Sequence, residues 1–344
     1  MVSPIDYIQR KRSLANGKIR ALPVLVLMPH SGCNCRCVMC DIWKANRERR
    51  ELTTDDIAPH LADFKRLRVR RVVLSGGEAL MHSNLWVLCQ LLRQLKIKIT
   101  LLSSGILLKP HAEEIAKWCH EVIVSLDGSP RVHDRIRNVD GASAKLQAGV
   151  KALRAVKPKM RITARCVIQR RNYFDIANII DTAKALPVDR ISFLAADVSS
   201  SAFNREIPWQ GTADVALTPE EITHFDLVVN ALLRTHRKDF SSGFVAESPD
   251  QIRGLVRYYR ALIDEDTFAV PQCNAPWVSA VVEADGTVRP CFFHAPIGNI
   301  REQPLTEIVN GNRAAEFRAH LDMVEDPICR RCVCTLNLKP HQRP

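Results

Sequence analysis

Gly32-Cys33-Asn34-Cys35-Arg36-Cys37-Val38-Met39-Cys40 is the stretch on which the reading of this chain turns. Cys33-x3-Cys37-x2-Cys40 follows directly on an apolar run, Val24–Met28, so it sits in a loop at the C-terminal end of a strand. Three thiolates at this spacing can wrap three corners of a cubane iron–sulfur cluster. The fourth iron then has no protein ligand and is open to a small molecule. A structural zinc site, by contrast, prefers four N/S ligands in a closed shell.

Outward from this loop, β-rich runs alternate with amphipathic stretches. The runs are Val24–Met28, Val72–Leu74, Lys98–Leu102, Glu121–Val124, Ile162–Ile168 and Ile191–Leu194. Helical patterns fall at Asp56–Arg66, Leu85–Leu95, Ala112–Trp118, Ser143–Val156 and Asp175–Leu186. This alternation predicts a parallel sheet with crossover helices, an α/β partial (β/α)6 TIM-like barrel over 22–198, with its site in strand-end loops. Residues 1–21 form an N-terminal extension. After Ser199-Ser200-Ser201 the pattern becomes helical through 199–265. Thr218-Pro219-Glu220-Glu221 predicts a capped start of a helix to about Thr235, and Asp250–Leu262 a second. Over 266–344 we expect a small separate cysteine-rich unit, in which Val278–Glu283 and Val288–Phe292 flank a hairpin turn at Ala284-Asp285-Gly286.

Composition narrows the class. Apolar residues make up 46% and charged residues 25% of the 344, an ordinary globular profile. The apolar stretch Ala21–Met28 is far short of the ~20 residues a spanning helix needs. Met1–Arg12 has no apolar core of a signal peptide, so we expect a cytoplasmic protein. The net charge of +12 gathers at Arg10–Arg12, Arg47, Arg49, Arg50 and Lys65–Arg71. It fits an anionic partner or a solvated basic surface. No zinc-finger, RRM or KH signature accompanies it, so dedicated nucleic-acid binding is not expected. The 12 cysteines cluster at both ends, which points to two metal sites rather than disulfides.

The first cluster, followed by Asp41-Ile42-Trp43, resembles the radical S-adenosylmethionine (SAM) superfamily. Ser75-Gly76-Gly77-Glu78-Ala79 resembles its Gly-Gly-Glu segment after the second strand. Ser103-Ser104-Gly105 resembles its third-strand Thr-Asn-Gly. Ser125-Leu126-Asp127-Gly128 with His133-Asp134-Arg135-Ile136-Arg137 resembles its fourth-strand segment. The resemblance implies a [4Fe–4S] cluster on Cys33, Cys37 and Cys40 whose open iron takes the amino and carboxylate groups of SAM. One electron then splits the S–C5′ bond to yield a 5′-deoxyadenosyl radical. It further implies that Gly76, Gly77 and Glu78 hold the methionine moiety, that Ser125 contacts the ribose or carboxylate, and that Ser103 lies near the cofactor. Met39 takes the position that packs near the adenine, and Arg165 is a candidate carboxylate partner. Cys35 lies inside the x3 gap; Cys33/Cys37/Cys40 carries the family's spacing and Cys35/Cys37/Cys40 does not.

Cys273-x12-Gly286-x4-Cys291 and Cys329-x2-Cys332 resemble the auxiliary cluster region called SPASM in full form and twitch in short form. Five cysteines in place of seven fit one auxiliary [4Fe–4S] cluster, on Cys273, Cys291, Cys329 and Cys332. Cys334 either replaces Cys332 or is a spare thiol. A structural zinc site is the plain alternative. Cys89 and Cys119 read as packing residues. Cys166 reads as a strand cysteine that is buried or faces the barrel, Asp197 as a loop carboxylate facing substrate, solvent or a cap, and His30 and His133 as lacking partners for a third metal. A fully ligated auxiliary cluster suits electron transfer, hence net oxidation of a small molecule or peptide side chain. Redox-neutral epimerisation, rearrangement or carbon transfer is the alternative within this class. An iron–sulfur carrier or scaffold would leave Ser75–Glu78, Ser103 and Ser125 without purpose. A basic zinc nucleic-acid protein would not explain the barrel pattern. Electron delivery calls for a flavodoxin or ferredoxin.

Overall fold

β1 (Val24–His30) is buried almost along its whole length, because it ends up in the middle of a sheet covered on both sides. A computed structural model describes residues 2–264 and 268–344. Parallel strands follow at Arg71–Gly76 (β2), Lys98–Ser103 (β3), Glu121–Ser125 (β4), Arg161–Ile168 (β5) and Arg190–Ala195 (β6). Helices Leu85–Gln94, Ala112–Trp118, Ala142–Val156 and Ile176–Ala185 return the chain between them. The six strands line up in chain order, β1 to β6, as an open partial barrel.

Burial alternates along β4 and β5. Val122, Val124, Ile162, Ala164, Cys166 and Ile168 face the helices and are fully buried. Ile123, Ser125, Arg165 and Val167 lie on the opposite, more open face. Between Leu27 and His30, β1 advances three residues while β2 advances two, from Leu74 to Gly76. The extra residue is a bulge that re-aims the chain as it enters the cysteine loop.

The predicted hairpin is present, as β7 (Ser279–Val282) and β8 (Thr287–Arg289), with β9 (Gly298–Asn299) beyond. The hairpin also joins the barrel sheet. β7 pairs in parallel with β1, Val24 opposite Ser279 through Leu27 opposite Val282, so one nine-stranded sheet runs from the barrel into the C-terminal region. Sequence cannot show this, since parallel pairing across 250 residues leaves no local signature. The expected boundary at 265/266 falls outside the described residues.

The open edge of β6 is covered. Phe244 O accepts from Ile191 N and Ala246 N donates to Ile191 O, both at 2.8 Å. Helix Pro249–Ala261 then lays Tyr259 across the barrel end, its hydroxyl donating to Ile168 O at 2.5 Å. Covering an edge in this way removes unpaired backbone from solvent. Three helical readings need correction. Asp56–Arg66 is broken into Thr54–Ile57, a 3-10 turn at Ala58–His60 and Leu61–Arg66, because Pro59 cannot continue a helix. Helices Pro4–Asn16 and Pro130–Arg137 were not foreseen; both are polar on average, so no apolar run marks them. Ser3 as cap and Gly17 in the left-handed region were the signals available for the first.

Candidate active site

The cysteine loop is held by its backbone before any ligand arrives. Gly32 N donates to His30 Nδ1 at 2.9 Å, and Asn46 clamps Cys33 from both sides, accepting from its amide at 2.8 Å and donating to its carbonyl at 2.9 Å. Arg36 N and Val38 N donate to the carbonyls of Arg137 and Ile136, both at 3.1 Å. Thus the last turn of helix Pro130–Arg137, whose carbonyls lack helical partners, is satisfied by the loop. Cys37 is buried, and Cys33 and Cys40 are half-buried.

The thiols report that burial. The hydrogen bond with Cys35, then burial, pushes the Cys37 thiol well above its usual range. Burial, and then the charge of Cys37, brings Cys40 to about 12. Cys35, itself buried, is pushed up to about 12 by its hydrogen bond to Cys33. Thiols in such a place ionise when a metal binds them, since the coordinated form is the thiolate. Three soft donors on one pre-set loop fit a cubane with an uncapped iron. The candidate nitrogen, His30 Nδ1, is already engaged by Gly32.

The Gly76-Gly77 segment is pressed against this loop. A Cβ on Gly77 would lie 1.9 Å from Gly32 O, and Glu78 N donates to that same oxygen at 2.9 Å. Gly76 has φ +105°, a conformation few side chains tolerate. Glu78 is fully buried and its carboxylate is occupied: it accepts from Leu80 N at 3.2 Å, Ser103 Oγ at 3.1 Å, Ser104 N at 2.8 Å and Ser104 Oγ at 2.6 Å. Glu78 and Ser103 therefore tie the β2 and β3 loops together. Gly76 and Gly77 line a cavity of about 490 Å³ between the cysteine loop, the loop after β6 and the β7–β8 hairpin.

Across the barrel face, Ser125 lies opposite Arg165, and Arg165 opposite Ser192. Arg165 Nε is buried without a protein hydrogen-bond partner. Glu247 stands nearby, accepting from Ser192 Oγ at 3.0 Å and Phe193 N at 2.9 Å; burial raises its carboxyl. Met39 packs against the apolar group of Ala196, Val198, Trp209 and Val215.

The C-terminal cysteines also converge. The thiols of Cys291, Cys329 and Cys332 are all raised, first by burial, and they and the exposed Cys334 each feel the charge of Cys273. Cys329 rises to about 12 and Cys291 to about 11. The Arg165 guanidinium acts in the opposite direction on Cys334, lowering it.

Residues 27–183 match the radical SAM superfamily, and residues 273–333 match SPASM, an iron-sulfur cluster-binding domain. The chain is a radical SAM protein with a SPASM region. It is therefore a radical SAM enzyme that uses SAM, a SAM-binding [4Fe–4S] cluster and an auxiliary iron–sulfur cluster. Its relatives include Fe-coproporphyrin III synthase of Methanosarcina barkeri, 25% identical over 92% of this chain and 83% of that protein. PqqA peptide cyclase of Streptomyces rochei is 25% identical over 90% of this chain and 80% of its own length. Among solved structures, SuiB of Streptococcus suis bound to S-adenosylmethionine aligns with a TM-score of 0.65 at 16% identity, covering 94% of this chain and 75% of that one. This likeness shows the partial-barrel fold.

Within this radical SAM protein, several residues of the sequence reading have structural partners. Asp197 serves as a cap: it is buried, accepts from Ser199 and Ser200 and pairs with Arg205. Cys166 faces the helix layer, fully buried. His133 is buried, accepts from Asp127 N at 3.1 Å, and is pushed down to about 4 by burial and by Arg137. Sequence reasoning missed Asp127 and Arg137 as a pair, although both lie in quoted motif segments. Arg137 is joined to Asp127 and donates to Cys37 Sγ at 3.5 Å. Among the described residues, no helix is long and apolar enough to cross a membrane.

Proposed function

We propose that Cys33, Cys37 and Cys40 hold the SAM-binding cluster, that Cys273, Cys291, Cys329 and Cys332 hold one auxiliary cluster, and that the enzyme oxidises its substrate by two electrons overall. The observation that carries this reading is the cysteine loop pressed against Gly77 and Glu78 at the strand ends, beside a cavity of about 490 Å³ that Gly76 and Gly77 line. When bound, SAM and its cluster supply a carbon radical able to take hydrogen from an unreactive C–H bond. The chain's own residues bind and orient. Gly76 and Gly77 admit the methionine end close to the backbone. Ser125 and Arg165 offer a hydroxyl and a guanidinium to the ribose or carboxylate, and Arg165 has an Nε free to do so. Met39, with Ala196 and Val198, offers an apolar seat for the adenine. Glu78 and Ser103 act from behind, fixing the loops that carry these groups.

A fully ligated auxiliary cluster suits accepting the electron left on the substrate radical, which favours oxidation over a redox-neutral outcome. The substrate is a small molecule or a peptide side chain; the named relatives are a synthase of the small molecule Fe-coproporphyrin III and a cyclase of the PqqA peptide. A flavodoxin or ferredoxin supplies the first electron. The test is anaerobic reconstitution with iron and sulfide counting, then measurement of 5′-deoxyadenosine with and without reductant. Product should require reductant and should vanish in a Cys33→Ala/Cys37→Ala/Cys40→Ala triple variant that keeps its auxiliary iron. Zinc without sulfide, or product from the triple variant, overturns the proposal.

A further inference from the structure

Arg137 is a buried cation that the chemistry above does not use. It is 8% exposed, and its partner Asp127 is fully buried. One guanidinium nitrogen meets Asp127; another, Nη1, lies 3.5 Å from Cys37 Sγ. The assembly is anchored at several points. Asp127 Oδ1 accepts from Val167 N on β5 at 2.9 Å, and its carbonyl accepts from Asn172 Nδ2 at 2.8 Å. Arg137 O accepts from Arg36 N inside the cysteine loop. Both the side chain and the backbone of this residue therefore face the same loop.

An ion pair this deep is not explained by stability, since desolvating two charges costs as much as their attraction returns and an apolar pair of the same volume often serves as well. What an apolar pair could not do is place a permanent positive charge beside a cluster sulfur. We propose that Arg137 is a positioning residue that raises the reduction potential of the SAM-binding cluster by donating a hydrogen bond to Cys37 sulfur, and that Asp127 holds it in place. The inference rests on Cys37 being a cluster ligand. One-electron reduction adds negative charge to the cluster, and a fixed cation within hydrogen-bond reach favours the reduced form. The effect is large where water is excluded. Net charge and hydrogen bonds to sulfur are the levers that set such potentials. Asp127 offsets part of the charge while fixing its direction.

The experiment is a potentiometric EPR titration of the full-length reconstituted protein, without SAM, with iron and sulfide counted on the same samples. The auxiliary cluster serves as the internal standard. In Arg137→Gln the reduced-to-oxidised ratio of the SAM-binding cluster should fall at least tenfold at a fixed potential, a 59 mV shift for a one-electron couple. Arg137→Lys, which keeps the charge, should stay closer to wild type, and the auxiliary cluster should not move. If Arg137→Gln does not retain the first cluster, Asp127→Asn decides: with the guanidinium kept and its counter-charge removed, the ratio should rise at least threefold. A first-cluster ratio within threefold of wild type in Arg137→Gln at full iron content overturns the proposal. So does an equal shift of both clusters, or an unchanged or lowered ratio in Asp127→Asn. The underlying reading fails separately, in Cys37→Ala, if that variant keeps full iron and a SAM-responsive signal.

Discussion

Gly77→Ala attacks the closest approach in the site. A Cβ there would sit 1.9 Å from Gly32 O and 2.5 Å from Gly32 C, against a practical minimum of 3.0 Å. Both groups are backbone, so no side chain can swing away; the two loops must separate by at least 1.1 Å, the difference between 3.0 and 1.9 Å. That opening stretches the 2.9 Å bond from Glu78 N to Gly32 O beyond hydrogen-bond range. Losing such a bond costs about 0.5–1.5 kcal/mol, and the forced backbone shift about 1–3 kcal/mol. We expect a total of roughly 2–4 kcal/mol, read as a Tm lowered by several degrees. SAM affinity should fall with it in equilibrium dialysis, because the cysteine loop and the Gly-Gly segment no longer share one geometry. Gly254→Ala is the control: its Cβ would meet only the end of the Arg257 side chain at 3.5 Å, within helix Pro249–Ala261. That change should be neutral or stabilising by about 0.5–1 kcal/mol. A Gly77→Ala protein with wild-type Tm and wild-type SAM affinity would refute the reasoning.

Further outcomes follow from other contacts. Glu78→Gln leaves the amide of Leu80 or of Ser104 facing an NH2 group, which should cost about 1–3 kcal/mol in urea unfolding; unchanged stability would show that the carboxylate is not the tie between the β2 and β3 loops. Asp56 bonds Arg301 at 2.7 Å, and that bond first of all holds its carboxyl at about 2. Its contribution is therefore full above the unfolded value of about 4 and is lost as pH falls towards 2. Asp56→Asn should flatten that part of the acid dependence, and equal losses between pH 5 and pH 3 in both proteins would count against the tie. Cys332→Ser should lose the auxiliary iron and sulfide while Cys334→Ser keeps wild-type content; the reverse would assign Cys334 as the ligand. Arg36 and Arg135 are exposed beside the cysteine loop. Reduction by a flavodoxin should therefore slow as ionic strength rises, and a salt-independent rate would argue against an electrostatic docking face.

The barrel was legible because each strand is short, apolar and followed by an amphipathic helix, as in Lys98–Ser103 and Ala112–Trp118. Turn chemistry was equally plain: Asp285-Gly286 marked the hairpin, and Thr218 with Glu221 forms the capping box at Pro219–Thr235. Polar helices escaped notice: Pro130–Arg137 is polar on average, and the face it buries carries His133 and Arg137 beside Ile136. Residue roles were harder than residue positions. Glu78 was found by motif, but its motif does not say that Ser103 and Ser104 occupy its oxygens.

By itself, the order of residues determined the two thiol groups, the strand–helix alternation and the glycines after β2, because spacing, period and turn preference act over a few residues. Tertiary structure alone decided that β7 would join β1, that Glu78 would turn inward, and that Arg137 would reach Cys37 across 100 positions. These depend on burial and on charges meeting in a medium of low polarity, and neither exists until the chain has closed on itself.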